Sequence, residues 1–510
     1  MDTFSLDPNC GEDAKSKIND IQNFYLFLKG TGGLKHSKIK LNNMCHTFFE
    51  TNVLKFGGPP IDVTIKGHRL LQEANKLFDE YLLDKDFPQL LKIEGCITRR
   101  LKFNKCEITL GKAGLIFETM NNRGIALTSL DRLKNYLMYL AEIACSNNTA
   151  DLTLIINTIN VAWGSILPNL EVVFSRRIRD ADEEQFVRFA LFIIYGRQLY
   201  ERSEWDSYRV VKAIITLNAP NGVCADIQTI VGNLTLFSEI YKCLYLPYSS
   251  HTFTLIQKEY LEKLKRLERQ APFWPLLMCF WYKFRGDFDF NTNFEELLKL
   301  CEIFCFRVWY VAGYNNNKNV GRLHDLAYEL FSGNIASAAD LISRLKADIR
   351  WLCSDLDFDN RLRNKEYGWR GVDYFFYERE LYLIGMALPA MKISWDEASS
   401  NDSIEHILPQ TETPYWTGIF GMPAHGTVGA TISDYDKYLH RISNLTLTLN
   451  NPALGNKNYG DKCTIYSSGS TNPALSVEKE IPTLYTDWNQ INADKRMEDL
   501  ISWALGRWAI

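Results

Sequence analysis

Twelve cysteines are present, yet no two stand as a Cys-x-x-Cys pair, which removes the usual framework of a structural zinc site or a dithiol redox motif. Cys301 and Cys305 lie one helical turn apart inside an apolar run, a setting that suits reduced core thiols. Long apolar runs are also lacking. The most apolar stretch, residues 271–282, falls well short of the ~18–20 residues a membrane span requires. Residues 1–13 carry acids and no apolar leader core, so the expectation is a soluble, cytoplasmic chain with no membrane partner. Neither sign of charge is in large excess. Lys and Arg number 57 against 61 Asp and Glu, a net charge of -4, which excludes a histone-like, non-specific nucleic-acid binder but leaves room for a local basic cleft. Internal repeats and low-complexity tracts are missing too.

What remains is an ordinary globular composition, 46% hydrophobic and 13% aromatic. At 510 residues the chain exceeds the ~100–150 residues typical of one domain, so two or three domains are expected. Residues 18–91 read as mixed and mostly helical, interrupted by Gly57-Gly58-Pro59-Pro60. Residues 101–110 alternate in a way that suits one or two short strands. Leu130, Leu133, Leu137 and Leu140 then recur at helical spacing after Thr128 or Ser129 as N-cap oxygen, with Asp131 in the first turn. Residues 152–387 continue as apolar-periodic helices. After Pro389 the composition shifts to Asn, Thr, Ser, Gly and Pro with short β-type runs, and residues 398–475 hold His406, His425 and His440. A loop-rich unit of this kind is where chemistry sits.

Two segments carry residues suited to that chemistry. Ser403-Ile404-Glu405-His406-Ile407-Leu408-Pro409 is a short apolar strand bearing adjacent polar side chains, which on a strand face opposite ways. A carboxylate holding a divalent cation beside an imidazole that deprotonates water is the chemistry of phosphodiester hydrolysis. Downstream, Leu445, Leu447 and Leu449 alternate in His440 to Asn451, predicting a second strand with one face on a core and paired to the first. Residues 452–462 then suit a short helix with further polar ligands. Elsewhere, His425 in a glycine-containing loop reads as exposed, His440 as either substrate-facing or structural, and the aromatic run 369–382 as core more readily than as a base-stacking platform.

Ile404-Glu405-His406-Ile407-Leu408-Pro409-Gln410, then Arg441-Ile442-Ser443-Asn444-Leu445-Thr446-Leu447-Thr448, then Asn451, Asn456-Lys457-Asn458-Tyr459 and Lys462 resemble the His-Asn-His nuclease domain of the GmrSD-like modification-dependent restriction endonucleases. Ile491, Arg496, Leu500 and Trp508 match that domain's closing helix. Upstream, residues 117–128, Phe-Glu-Thr-Met-Asn-Asn-Arg-Gly-Ile-Ala-Leu-Thr, resemble the second motif of the family's ParB-like nucleotide-handling domain. The resemblance implies a mainly α protein with a small α+β domain: a divergent or truncated ParB-like region at 1–145, a helical middle at 146–390 and a ββα-metal nuclease domain at 391–510. It further implies His406 as general base, Glu405 as metal-side carboxylate and Asn444 as the residue fixing the two strands. Asn451 stands in place of the last His, with Asn456 as a second candidate, and Lys462 contacts a phosphate. Neutral amide oxygens in such a set suit Mg²⁺ or Mn²⁺ more than Zn²⁺.

The Asp-Gly-Gln-Gln-Arg string that opens the family's ParB-like domain is missing from the sequence. Either nucleoside triphosphate binding is lost, or a separate subunit supplies that motif. Asn121, Asn122 and Arg123 are then half of a nucleotide pocket or a turn before a helix. The implied substrate is foreign, modified DNA. Cutting both strands at a one-metal site calls for two copies of the chain, and a non-catalytic DNA-binding subunit of a defence complex is the alternative reading.

Overall fold

A computed structural model describes residues 12–29, 35–41, 43–56, 58–102, 127–145, 148–174, 180–197, 206–215, 220–315, 317–385, 391–400, 402–424 and 433–510. The described residues are mainly helical, with four three-residue strands in two antiparallel pairs. They fall into two compact units: Met1–Phe186 with Asp206–Lys242, and Val187–Trp205 with Cys243–Ile510.

In the first unit, helix Glu12–Ile21 leads to β1 (Phe27–Lys29) and β2 (Lys35–Ser37), a small hairpin the sequence pattern did not announce. Residues 103–126 lie outside the described residues, and with them most of the strand reading at 101–110 and Asn121, Asn122 and Arg123. Helix Ser129–Ala144 begins where the sequence predicts: the Thr128 hydroxyl accepts the Asp131 amide at 3.2 Å. Leu130, Leu133, Leu137 and Leu140 are fully buried against helices Thr149–Phe174 and Ser207–Ile214. Arg132 pairs at 2.8 Å with Asp206, which also caps the latter helix.

One helix is longer and more apolar than residues 271–282, the stretch expected to be the most apolar. Thr149–Val173 is long and apolar enough to cross a membrane by length and composition. One stripe, including Ile155, Ile159, Trp163, Ile166 and Leu170, is buried, and Asn169 donates to Ser238 at 3.1 Å. Scattered Asn and Pro168 kept this helix from standing out as an uninterrupted apolar run.

The second unit stacks helices Leu255–Arg266, Trp274–Phe284, Phe290–Phe304, Val320–Phe331, Ala338–Leu352, Asp355–Arg363 and Val372–Leu383 around aromatic contacts, such as Phe253 edge-on to Trp281 at 4.7 Å. Tyr374, Phe375, Phe376 and Tyr377 are all buried; they are core, not a stacking platform. The closing helix Gln490–Arg507 is fastened to this layer by a buried ionic cluster. Arg507 donates to Glu378 at 2.8 Å and to Glu302 at 3.1 Å, Lys263 to Glu378 at 2.6 Å, and the Trp508 indole to Glu302 at 2.7 Å. Two carboxylates meet two cations there, so no charge is left uncompensated away from water.

His324, 8% exposed, packs against Phe192 at 4.7 Å. Burial lowers its pKa to about 4. A depressed pKa means that the fold holds the neutral ring, so this stabilisation is complete above the unfolded value of ~6.5 and is lost as pH falls toward about 4. The expected outcome is an acid limb in the urea midpoint between those values, worth up to about 3 kcal/mol, that flattens in His324→Leu; an unchanged limb in the variant would refute the assignment.

Candidate active site

The C-terminal segment is built on β3 (Ile404–His406) and β4 (Leu445–Leu447), which pair antiparallel in the register Ile404↔Leu447, Glu405↔Thr446 and His406↔Leu445. The pairing continues at both ends, with Ile407 N–H to Asn444 O and Thr448 N–H to Ser403 O, each 2.8 Å. Helices Asn451–Leu454 and Tyr459–Ser468 follow. One expectation is corrected: β4 does not bury a single face, because Thr446 and Thr448 are as buried as Leu445 and Leu447. Helices Val372–Leu383 and Ser476–Leu484 pack on it, and the closing helix packs on the turn that leads into it. Arg496 of the closing helix, 1% exposed, donates to Ser443 O at 2.6 Å and Leu445 O at 2.8 Å, so the strand carries a cation under its carbonyl edge.

Asn444 has no exposed surface. Its amide oxygen accepts from Leu408 N–H at 2.7 Å and from the Trp488 indole at 3.1 Å, while its amide nitrogen donates to Leu408 O at 2.9 Å and Leu439 O at 2.8 Å. Four bonds saturate the carboxamide, so Asn444 fixes the turn after β3 against the turn before β4 and does not face a substrate.

Because strand neighbours point to opposite faces, Glu405 and His406 enter different surroundings. Glu405 turns toward helix Tyr459–Ser468, where Asn458 caps the first turn by accepting the Asp461 amide at 2.9 Å. On that helix Tyr459, Lys462 and Tyr466 form the buried stripe, which places a lysine where an apolar residue would ordinarily stand. The Lys462 ammonium, without exposure, donates to Glu405 Oε1 at 2.5 Å and to His406 O at 2.7 Å. Burial raises the Glu405 pKa and lowers that of Lys462, each group resisting charge that its partner restores. Lys462 is thus an internal cation, already engaged, and not a lysine offered to a phosphate.

His406 turns to the other face. Its Nε2 lies 3.3 Å from His440 Nδ1, and its Nδ1 3.2 Å from the side-chain amide of Gln410. The Tyr367 ring stands edge-on to it at 4.5 Å. Tyr367 also donates its backbone N–H to His440 O at 2.7 Å, and the neighbouring Glu366 bridges to Arg441. The loop after helix Asp355–Arg363 therefore forms one wall of the imidazole pair. Burial, with His440 and Lys462 nearby, lowers the His406 pKa to about 3, so the ring is neutral at any physiological pH.

The residues read as metal ligands do not assemble into a cation site. Glu405 is neutralised by Lys462. The Asn451 amide nitrogen donates to Asp402 O at 3.0 Å and Ile404 O at 3.3 Å, lacing a helix start to β3. Asn456 is exposed in the turn between two helices. Among the described residues no three His, Cys, Asp or Glu side chains are grouped to hold a metal ion. As arranged, this donor set does not fit Mg²⁺ or Mn²⁺. His425 lies outside the described residues.

Sequence reasoning left the role of His440 open and missed Tyr367. Gln410 belonged to the motif without a role. Tyr367 gave no signal, since it reaches the site only through tertiary packing, whereas the helical Tyr459, Lys462, Tyr466 spacing would have placed Lys462 in the core, where the sequence reading had it on a phosphate.

Residues 354–503, under a third of the chain, match the family model described as GmrSD restriction endonucleases, C-terminal domain. No curated protein matches the chain. The match spans the Tyr367 loop, both strands and Lys462, and supports a nuclease role for this region.

Removing one member of a buried ion pair strands the other. Lys462→Met is expected to lower stability by about 3–5 kcal/mol, and adding Glu405→Gln to recover a large part of that loss. Chemical unfolding of the two variants reads this; additive losses would mean that the pair is not coupled.

Proposed function

We propose that the C-terminal region, similar at 354–503 to the C-terminal domain of GmrSD restriction endonucleases, is a His-Asn-His-type endodeoxyribonuclease centre of ββα form. It hydrolyses DNA phosphodiesters with the His406 and His440 pair as the general-base apparatus, in cytoplasmic, type IV-like restriction of foreign, modified DNA such as that of phage. The observation that carries this reading is the imidazole pair at the end of β3, walled by Tyr367 and fixed from behind by Asn444 and Lys462. A base must be unprotonated to accept the proton of an attacking water, and burial keeps His406 so.

Glu405, Asn451 and Asn456 remain the residues that the resemblance assigns to a divalent cation, and Glu405 is tied to Lys462. That same ion pair favours a second reading, in which the chain is a partner-dependent or DNA-binding subunit whose centre is completed by another polypeptide. The partner would carry the missing nucleotide motif, with Asn121, Asn122 and Arg123 as this chain's share.

The test uses purified protein and His406→Ala, with unmodified plasmid and modified phage DNA. Reactions contain Mg²⁺ or Mn²⁺, or a chelator, with and without nucleoside triphosphate. Wild type is expected to cut, and the variant to be slower by ~10²-fold or more. Chelator sensitivity reads the metal requirement directly. If wild type binds DNA and cuts none under any condition, the nuclease reading gives way to the subunit reading; equal cutting by both proteins would place the chemistry elsewhere.

A further inference from the structure

We infer that a line of aromatic-backed cations, Lys318, Arg361 and Lys365, receives the phosphate backbone of DNA and leads it to the imidazole pair, and that Trp351 at its far end stacks on an unpaired base. This rests on the DNA substrate of the nuclease reading and names the surface that holds it.

The line is built contact by contact. Trp351 is 76% exposed, and the Lys318 ammonium lies 5.8 Å from its ring and 5.3 Å from that of Tyr314. The Arg361 guanidinium stands 5.8 Å from the same Tyr314 ring, steadied by a 2.8 Å bond to Ala312 O. Arg361 is in the last turn of helix Asp355–Arg363. Four residues on, the Lys365 ammonium comes to 5.7 Å from the Trp369 ring. Between Lys365 and Trp369 stands Tyr367, 40% exposed, whose ring lies against both His406 and His440.

Two features separate this line from an ordinary solvated face. The cations are open to an anion: among the described residues no carboxylate pairs with Lys318, Arg361 or Lys365, whereas Arg363 is held by Asp359 and Glu498 and Arg370 by Glu268. Nearby acids are engaged as well, Asp355 by Arg307 and Asp357 by the Ser354 hydroxyl. Within residues 360–370 four cations stand against one acid, Glu366. Burial and the Arg361 charge together lower the Lys365 pKa, so a phosphate that both cations reach relieves their repulsion. The second feature is Trp351 itself. A tryptophan left mostly in water forgoes the burial its large ring offers, and an open ring beside a cation is the arrangement on which unpaired bases stack. With a chain charge of -4, attraction of a polyanion falls to a local run of this kind.

The triple variant Lys318→Gln, Arg361→Gln, Lys365→Gln is compared with wild type and with Lys265→Gln, an exposed lysine on helix Leu255–Arg266. The probe is a labelled DNA duplex with a single-stranded gap, titrated at several salt concentrations and then followed for single-turnover cutting. Loss of three phosphate contacts is expected to weaken binding ~10-fold or more and to make the slope of log affinity against log salt shallower by about 2–3. The cutting rate at saturating DNA should be unchanged, since these cations act in binding. Trp351→Ala is expected to weaken binding of the gapped probe by about 5-fold to 100-fold, with Trp351→Phe recovering most of it and both binding unbroken duplex like wild type. Melting temperatures check that each variant is folded. A triple variant with wild-type affinity and slope overturns the proposal and leaves the nuclease reading standing, as does an equal loss in Lys265→Gln. Trp351→Ala that holds gapped DNA like wild type overturns the stacking assignment. Wild type that binds DNA through these residues and cuts none overturns the nuclease reading alone; wild type that binds no DNA overturns both.

Discussion

An ammonium with no water around it must find oxygen acceptors within reach, and Lys462 finds them on both neighbouring residues of β3. Its bond to Glu405 Oε1 sets the inward face of the strand, and its bond to His406 O sets the strand's depth. A slip of one residue would exchange the two faces, leaving a lysine and a carboxylate unpaired away from water. The outward direction of His406 is therefore a consequence of what Glu405 must do on the other side. The pairing with β4, the saturation of Asn444 and the cation that Arg496 lays beneath Leu445 O reinforce the same register.

The same electrostatic rule operates at larger scale in the cluster of Lys263, Glu302, Glu378 and Arg507. Buried pairs of this kind add little net stability, yet removing one member is costly, so they act as specifiers of which helices meet. Here they fix the closing helix to the helical layer, and that helix in turn carries Arg496 to the strand. The loop with Tyr367, in the helical part of the sequence, reaches the imidazole pair by the same packing.

An ion pair where the motif leads one to expect a metal ligand changes how the centre is understood. The carboxylate and its lysine form a closed unit, and the other face of the strand carries two imidazoles and an amide within hydrogen-bond reach of one another.

Much of this was legible in the sequence. The leucine spacing and Thr128 marked helix Ser129–Ala144 with its cap, the alternating residues marked β3 and β4, and the Glu405-His406 step placed two functions on opposite faces, because local periodicity and capping are written in adjacent residues. The order of the motifs pointed to the region that matches the family. What only tertiary structure decided was the partner of each polar group. That Lys462 neutralises Glu405, that Asn451 laces the backbone, that β4 is covered on both faces and that Tyr367 walls the imidazoles all depend on residues separated by tens of positions. A desolvated charge or imidazole takes its role from whatever the fold brings within about 3 Å of it, and no spacing along a chain records that distance.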